Sequence, residues 1–371
     1  MLFPLPRCRQ TGGTLAAAGA LWLALAGPAP ARPLPPDETP PTPVGRGGTL
    51  PTPYTLGALP NTLADPADLG QHSWLDHDSE TLGILYACRA GFLDLVHIRN
   101  AADWTLNLQA RLLRALQRGE PGLDVEGADR GVRLHIAFPA TLTPEERETL
   151  APDLALQLAR RYAFILLDWH EVTTWYGHGV LPFVSERPSA FSVDDTASHL
   201  VGLDLAERAL ADPQRALLPA LTAQLPPLLQ ELCVQPRQQT TLAMARVRGL
   251  WWNPHRSWPA NSFITRRQVD SGHPEQTFTA WQVPGLTACA EQPAAQWQVD
   301  HLDHWAQGRF AGWAQAWLSP GAPEILSASF GEDSPQRQTG RLRVPEDLPA
   351  VLDEVRRRMH EELGPRADQP D

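Results

Sequence analysis

Lysine is absent from this 371-residue chain; all 31 of its basic residues are arginine. With no side-chain amine to form a Schiff base, covalent chemistry of that kind is disfavoured. Positive charge is also in the minority, with 42 acidic residues and a formal net charge of −11. Nucleic-acid binding needs clustered cations to neutralise phosphates, so no nucleic-acid partner is expected. Cysteine is scarce, at four residues. Cys8 precedes the first apolar run, and Cys88, Cys233 and Cys289 form neither a dense disulfide framework nor a zinc-ligand spacing. One disulfide among those three is permitted in an oxidising compartment, with the pairing left open. The most apolar run, Leu15 to about Ala26, is short of the ~20 residues that a membrane span needs. A glycine-rich phosphate loop and a Gly-x-Ser-x-Gly nucleophile elbow are also missing.

What the amino-terminal region does contain is ordered. Arg7 and Arg9 precede the apolar run, and Ala29-Pro30-Ala31 follows it. That is the charged, apolar, small-residue order of a cleaved secretory signal, expected over residues 1–31. It predicts an exported bacterial envelope protein, periplasmic or secreted. Loss of the signal makes the chain two charges more negative. A proline-rich tether is expected over 32–55, a main globular domain over 56–330, and a carboxy-terminal amphipathic helix with a polar tail over 331–371.

Apolar periodicity predicts an α+β protein, mainly helical with a small strand-containing part, its helices packed around a polar seam. Two helices or one broken helix are expected from Thr81 to about Gln117. A strand is expected over 131–138, and a helix start at Thr143-Pro144-Glu145-Glu146. A long helix runs from about Pro152 to Tyr176 and stops at Gly177. A further helix starts at Ser192-Val-Asp-Asp195, with Asp195 in a capping box, and ends near Ala211. Another covers about 216–233. Strands and turns are expected over 247–285, a helix over 301–317 and a last amphipathic helix over 346–363.

Three segments place polar residues inside otherwise apolar helices. In the first, Asp94 and His97 share a helix face, and Arg99 and Asp103 form a second pair. The second is Asp168-Trp-His-Glu171, with Thr174, Trp175 and His178 beyond it. A zinc-protease helix would need histidine at position 174, so that motif is absent. His170 and Glu171 remain candidate ligands, and Glu171 is a candidate general acid among tryptophans. In the third, Ser192 and Asp195 read as caps, and Asp195, His199 and Gly202 share a face; Gly202 would let another helix approach closely. Eight of the 13 tryptophans lie between Trp251 and Trp317, and aromatic platforms suit sugar faces or apolar partners.

Four runs in order resemble the bacterial domain-of-unknown-function family 4056: GILYACRAGFLDLVHIRNAADWT, WHEVTTWYG, PSAFSVDDTASHLVGLDLA and LWWNPHRSW with FITRRQVDSG. The LGQHSW run containing His72 is also similar. The resemblance covers about residues 50–285. It carries over a pattern of His72, Cys88, Arg89, His97, Asp103, Trp104, His170, Glu171, Trp175, Tyr176, Ser192 and Gly202, and implies no particular activity. It also implies asparagine near position 199 in relatives, hence no obligatory ligand role for His199.

The leading expectation is a metal-dependent envelope hydrolase. His97, His170, Glu171 and His72 would hold zinc or another divalent metal, which activates a water. Glu171, His170 and Asp103 would be its catalytic residues, Asp94 or Asp103 orienting a histidine. The alternatives are metal-free chemistry on an envelope glycan such as peptidoglycan, with Glu171 as acid, and a non-enzymatic binding or assembly factor.

Overall fold

The computed structural model describes residues 40–43, 63–75, 77–138, 142–177, 186–256, 264–270, 272–273, 276–299 and 314–370. The expected signal segment, most of the tether and His178 lie outside them. Of the tether, Pro40 is buried, and its carbonyl accepts a 2.9 Å bond from Asn107 Nδ2. The described residues are α+β and mainly helical, as the sequence predicts.

The first elements are two strands, β1 (Ile84–Ala87) and β2 (Gly91–Asp94), paired as an antiparallel hairpin. This corrects the helix expected to begin at Thr81. Every residue of both strands is buried, so no apolar–polar alternation betrays them. At the turn, Gly91 has φ +73°, and a Cβ there would sit 2.3 Å from the Trp281 carbonyl oxygen. α1 (Leu95–Arg118) follows directly. Asp94 therefore caps this helix rather than lying within it, its side chain accepting the Val96 N–H at 2.7 Å.

Next come β3 (Gly122–Glu126) and β4 (Val132–Ala137), then α2 (Pro144–Thr149). The predicted start of α2 is a complete capping box between Thr143 and Glu146. α3 (Ala151–Trp175) ends before Gly177, at φ +92°. α4 (Asp195–Ala211), α5 (Leu217–Glu231) and α6 (Arg237–Arg246) follow. The expected capping box of α4 does not form: Ser192 Oγ instead donates to the carboxylates of Asp194 (2.6 Å) and Asp195 (3.1 Å). Over 247–285 the described residues are mostly turns, with β5 (Phe278–Thr279) pairing β6 (Gln296–Trp297). Residues 301–313 lie outside the described ones, and β7 (Gln315–Pro320) replaces the end of the helix expected there. The chain continues through α7 (Pro323–Ser329), α8 (Pro335–Thr339), β8 (Leu342–Val344) and α9 (Leu348–Leu363).

α1 packs between α3 and α4, and α4 leans on α5. Gly202 makes the α1–α4 crossing close, since a Cβ would lie 2.3 Å from the Ile98 carbonyl oxygen. A four-stranded antiparallel sheet of order β3-β4-β7-β8 covers one side. Its inner face (Val125, Leu134, Ile136, Ala316, Leu318, Leu342) joins the main core, as do Val351, Leu352, Val355 and Met359 of α9. A disulfide joins Cys88 to Cys289 and ties the hairpin turn to a distant loop. Among the described residues, no helix is long and apolar enough to cross a membrane.

Candidate functional site

The polar seam lies where the start of α1, the last turns of α3 and the start of α4 meet. One ligand atom each from Asp94, His97 and Asp194 lies within 4.8 Å of the others. Asp94 and Asp194 arrive there through backbone. Asp94 sits at the amino end of α1, where the helix dipole favours a carboxylate. Its N–H donates to Ser198 Oγ (2.8 Å), which in turn donates to the Asp194 carbonyl (2.6 Å). This hydroxyl locks the two helix starts together. Burial pushes the Asp194 carboxyl up to about 6, helped by the charge of Asp94 and opposed by His97 and the Ser192 hydroxyl. Burial also raises Asp94, against the pull of His97 and the Val96 N–H.

His97 is the group that opens to solvent, its side chain about a quarter exposed, and its Nδ1 lies 3.1 Å from Asp195 Oδ1. Burial depresses its pKa, but the bond to Asp195 and the charges of Asp94, Asp195 and Glu171 together lift it well above the ordinary histidine value. The His199 ring stands 5.2 Å from that of His97. Burial, then the positive charge of His97 and His170, holds His199 well below its usual value, so it is a neutral imidazole.

Glu171 approaches from α3. Its Oε2 accepts the Phe191 N–H at 2.9 Å, and its carboxyl hydrogen-bonds that of Asp195. Two carboxyls in that contact need a proton between them. Burial and then the charge of Asp195 push Glu171 up to about 8, against the pull of His170 and His97. Phe191 has φ +55° and is fully buried, a costly backbone state for a non-glycine residue that aims its N–H at the acid. Arg267 holds this loop in place. Its guanidinium donates to the carbonyls of Ala190 and Pro188 and stacks 5.4 Å above the Trp175 ring. Its own N–H donates to the Ala367 carbonyl at 2.7 Å, and the Gln268 N–H donates to the Phe191 carbonyl at 3.0 Å.

The remaining sequence candidates divide into other networks. His170 pairs with Asp129 (2.9 Å); burial lowers its pKa, but that bond and charge raise it overall to about 9. Asp168 hydrogen-bonds Asp270, and burial followed by the charge of Asp270 raises it well above the carboxylate range. His72 binds Asp103 (2.7 Å) through Nε2, while Arg99 Nη1 donates to its Nδ1 (3.4 Å). Arginine only donates, so in this bond Nδ1 accepts and Nε2 is the side that faces Asp103. The expected Arg99–Asp103 pair thus has His72 between its members, and Glu80 lies 3.5 Å from Arg99. Asp103 stands six residues beyond His97 on α1, about 9 Å along the axis at 1.5 Å per residue.

The structure therefore brings His97 and Glu171 into one seam, sets His170 beside it with its own acid, and keeps His72 with Asp103. Asp194, Asp195 as a partner of His97, Asp129 and Arg267 were not singled out as site residues by sequence. The Asp194-Asp195 pair was the one visible signal, and it also fits a helix cap.

The chain is thus a helical α+β protein with a buried histidine–carboxylate centre. Residues 61–279, more than half of it, match the family described as Protein of unknown function (DUF4056), and the chain belongs to that family. No curated protein and no solved structure matches it.

Proposed function

We propose that this protein is an exported, metal-dependent hydrolase whose divalent cation is held by Asp94, His97 and Asp194. The observation that carries the proposal is the convergence of one imidazole and two carboxylate ligand atoms within 4.8 Å in a buried seam. Each of these buried carboxylates has one neutral hydrogen-bond donor, Val96 N–H or the Ser192 hydroxyl, and a cation offsets the remaining cost of burying two acids together. One nitrogen and two oxygen donors suit zinc, manganese or iron(II).

Bound there, the cation would bring the pKa of a water towards ~7. Asp195 orients His97. Glu171 keeps its proton at neutral pH and delivers it to the leaving group, in the role of general acid. Export is supported by the signal-like order of residues 1–31 and by the Cys88–Cys289 disulfide, a bond that persists in oxidising compartments.

The protonated state of Glu171 also favours metal-free chemistry on a glycan. Against that reading, its nearest carboxyl, Asp195, is within hydrogen-bond contact, whereas paired glycosidase carboxyls stand ~5 Å or more apart.

The test is elemental analysis of protein purified from periplasm without chelator or histidine tag. About one transition metal per chain is expected, lost in folded His97→Ala and Asp194→Asn variants. Metal-free wild-type protein that gains no thermal stability from zinc or manganese sinks the proposal. Metal-loaded protein is then assayed on esters, amides and phosphodiesters.

A further inference from the structure

The four-stranded sheet carries a second constructed surface, on its outer face. Strand register sets Asp124 opposite His135, His135 opposite Trp317 and Trp317 opposite Arg343, one row across all four strands. The neighbours of this row (Val125, Leu134, Ile136, Ala316, Leu318, Leu342) are buried. Side chains alternate along a strand, so the row faces outward. Its members are tied together. Asp124 Oδ1 lies 2.8 Å from His135 Nδ1, and the imidazole lies 5.9 Å from the Trp317 ring at a 35° tilt.

Beside the indole, the row forms the floor of an open cleft of about 810 Å³, walled by α8 and by Arg341 and Asp347. That is the size range of small-ligand clefts, roughly 300–1,000 Å³. The wall is fixed by Asp347. One of its oxygens accepts Gln336 Nε2 (3.0 Å) and the other accepts the Arg343 N–H (2.7 Å). Both acid oxygens are turned into the wall, and the lining carries two guanidinium groups, Arg341 and Arg343, against this one carboxylate. Among the described residues, Arg343 pairs with Glu346 at 3.1 Å, both about half exposed. Arg341 is exposed and joins no ion pair with a described residue. In a chain of net charge −11, this cleft presents two guanidinium groups beside a half-buried indole.

We propose that this cleft binds a carboxylate-bearing saccharide. The apolar face of one sugar ring lies on Trp317, and the carboxylate is taken by Arg341 and Arg343, whose planar forks suit it. Imidazole and amide groups of His135 and Gln336 are placed for the hydroxyls. The proposal is independent of the metal centre.

The experiment is calorimetric titration of the full mature protein with three disaccharides. Two are acidic: N-acetylglucosaminyl-N-acetylmuramic acid, with a lactyl carboxylate, and digalacturonic acid, with ring carboxylates. The third, di-N-acetylchitobiose, is neutral. At least one acidic sugar should bind about tenfold or more tighter than the neutral one, and which one identifies the source of the carboxylate. Trp317→Ala should weaken that binding about tenfold. Arg341→Glu, at an exposed position that leaves folding intact, should do the same with metal content unchanged. Absence of acidic-sugar binding at millimolar concentration, equal binding of the neutral sugar, or full binding by Arg341→Glu overturns the proposal.

Discussion

Replacing Glu171 with glutamine should stabilise the protein in alkaline solution while removing its proton donor. Glu171 is almost fully buried, and burial followed by the charge of Asp195 raises its pKa from 4.5 to about 8. Below pH 4.5 the folded and unfolded chains both carry the proton. Between 4.5 and 8 the unfolded chain releases it and the folded chain keeps it. The folded state then binds more protons, so stability falls through this window and levels off above it. One pKa unit is worth about 1.36 kcal/mol, which makes the whole shift roughly 5 kcal/mol. The proton is shared with Asp195, which would stay ionised in the variant and accept the new amide N–H. About half, roughly 2–3 kcal/mol, should therefore return on substitution. At about 2 °C per kcal/mol for a chain of this size, that is about 5 °C. Thermal melts of both proteins at pH 5, 7 and 9 should give near parity at pH 5 and the full gap at pH 9. Turnover by the metal-loaded protein should fall at least about 100-fold. A melting difference that does not change with pH would refute the reasoning.

Gly202→Ala places a methyl group 2.3 Å from the Ile98 carbonyl oxygen and 2.5 Å from Ala101 Cβ. Prising α1 from α4 should cost about 2–4 kcal/mol in urea denaturation, and a value within ~0.5 kcal/mol of wild type would deny the close crossing. Asp103→Ala leaves the Nε2–H of buried His72 unpaired and should cost about 3 kcal/mol, whereas Asp103→Asn keeps an acceptor and should cost under ~1 kcal/mol. Metal content should be unchanged in both, and its loss would tie Asp103 to the metal centre.

Local rules made much of the helical frame legible. The stop of α3 at Gly177 and the Thr143–Glu146 box are each set by a few adjacent residues. Gly202 too was readable, because a small residue on an apolar helical face has few other uses. The hairpin at 84–94 was not: with both strands buried throughout, Ile84-Leu-Tyr-Ala and Gly91-Phe-Leu-Asp carry no period of two. The site was half visible. His97 and Glu171 stand out as polar residues in apolar helices. Asp94 stands out with His97, but Asp194 and Asp195 do not, because that pair has the same appearance whether it caps a helix or binds a cation. Asp129, which holds His170, sits in the turn between β3 and β4, and only tertiary packing brings it there. The left-handed Phe191 that supplies the N–H to Glu171 has no sequence signature at all.

Arg267 connects two stretches of chain that are far apart in sequence. Its guanidinium grips the loop that presents the Phe191 N–H, and its backbone is held by the carbonyl of Ala367, beyond the last helix. The strained Phe191 conformation therefore has a distant anchor, and it should relax towards an ordinary backbone state when that anchor slips. Proteolytic clipping near Gly364, or a tag fused close behind Ala367, would then reach the acid of the seam without touching it. Residues 364–367 act on Glu171 as a guy-line acts on a mast.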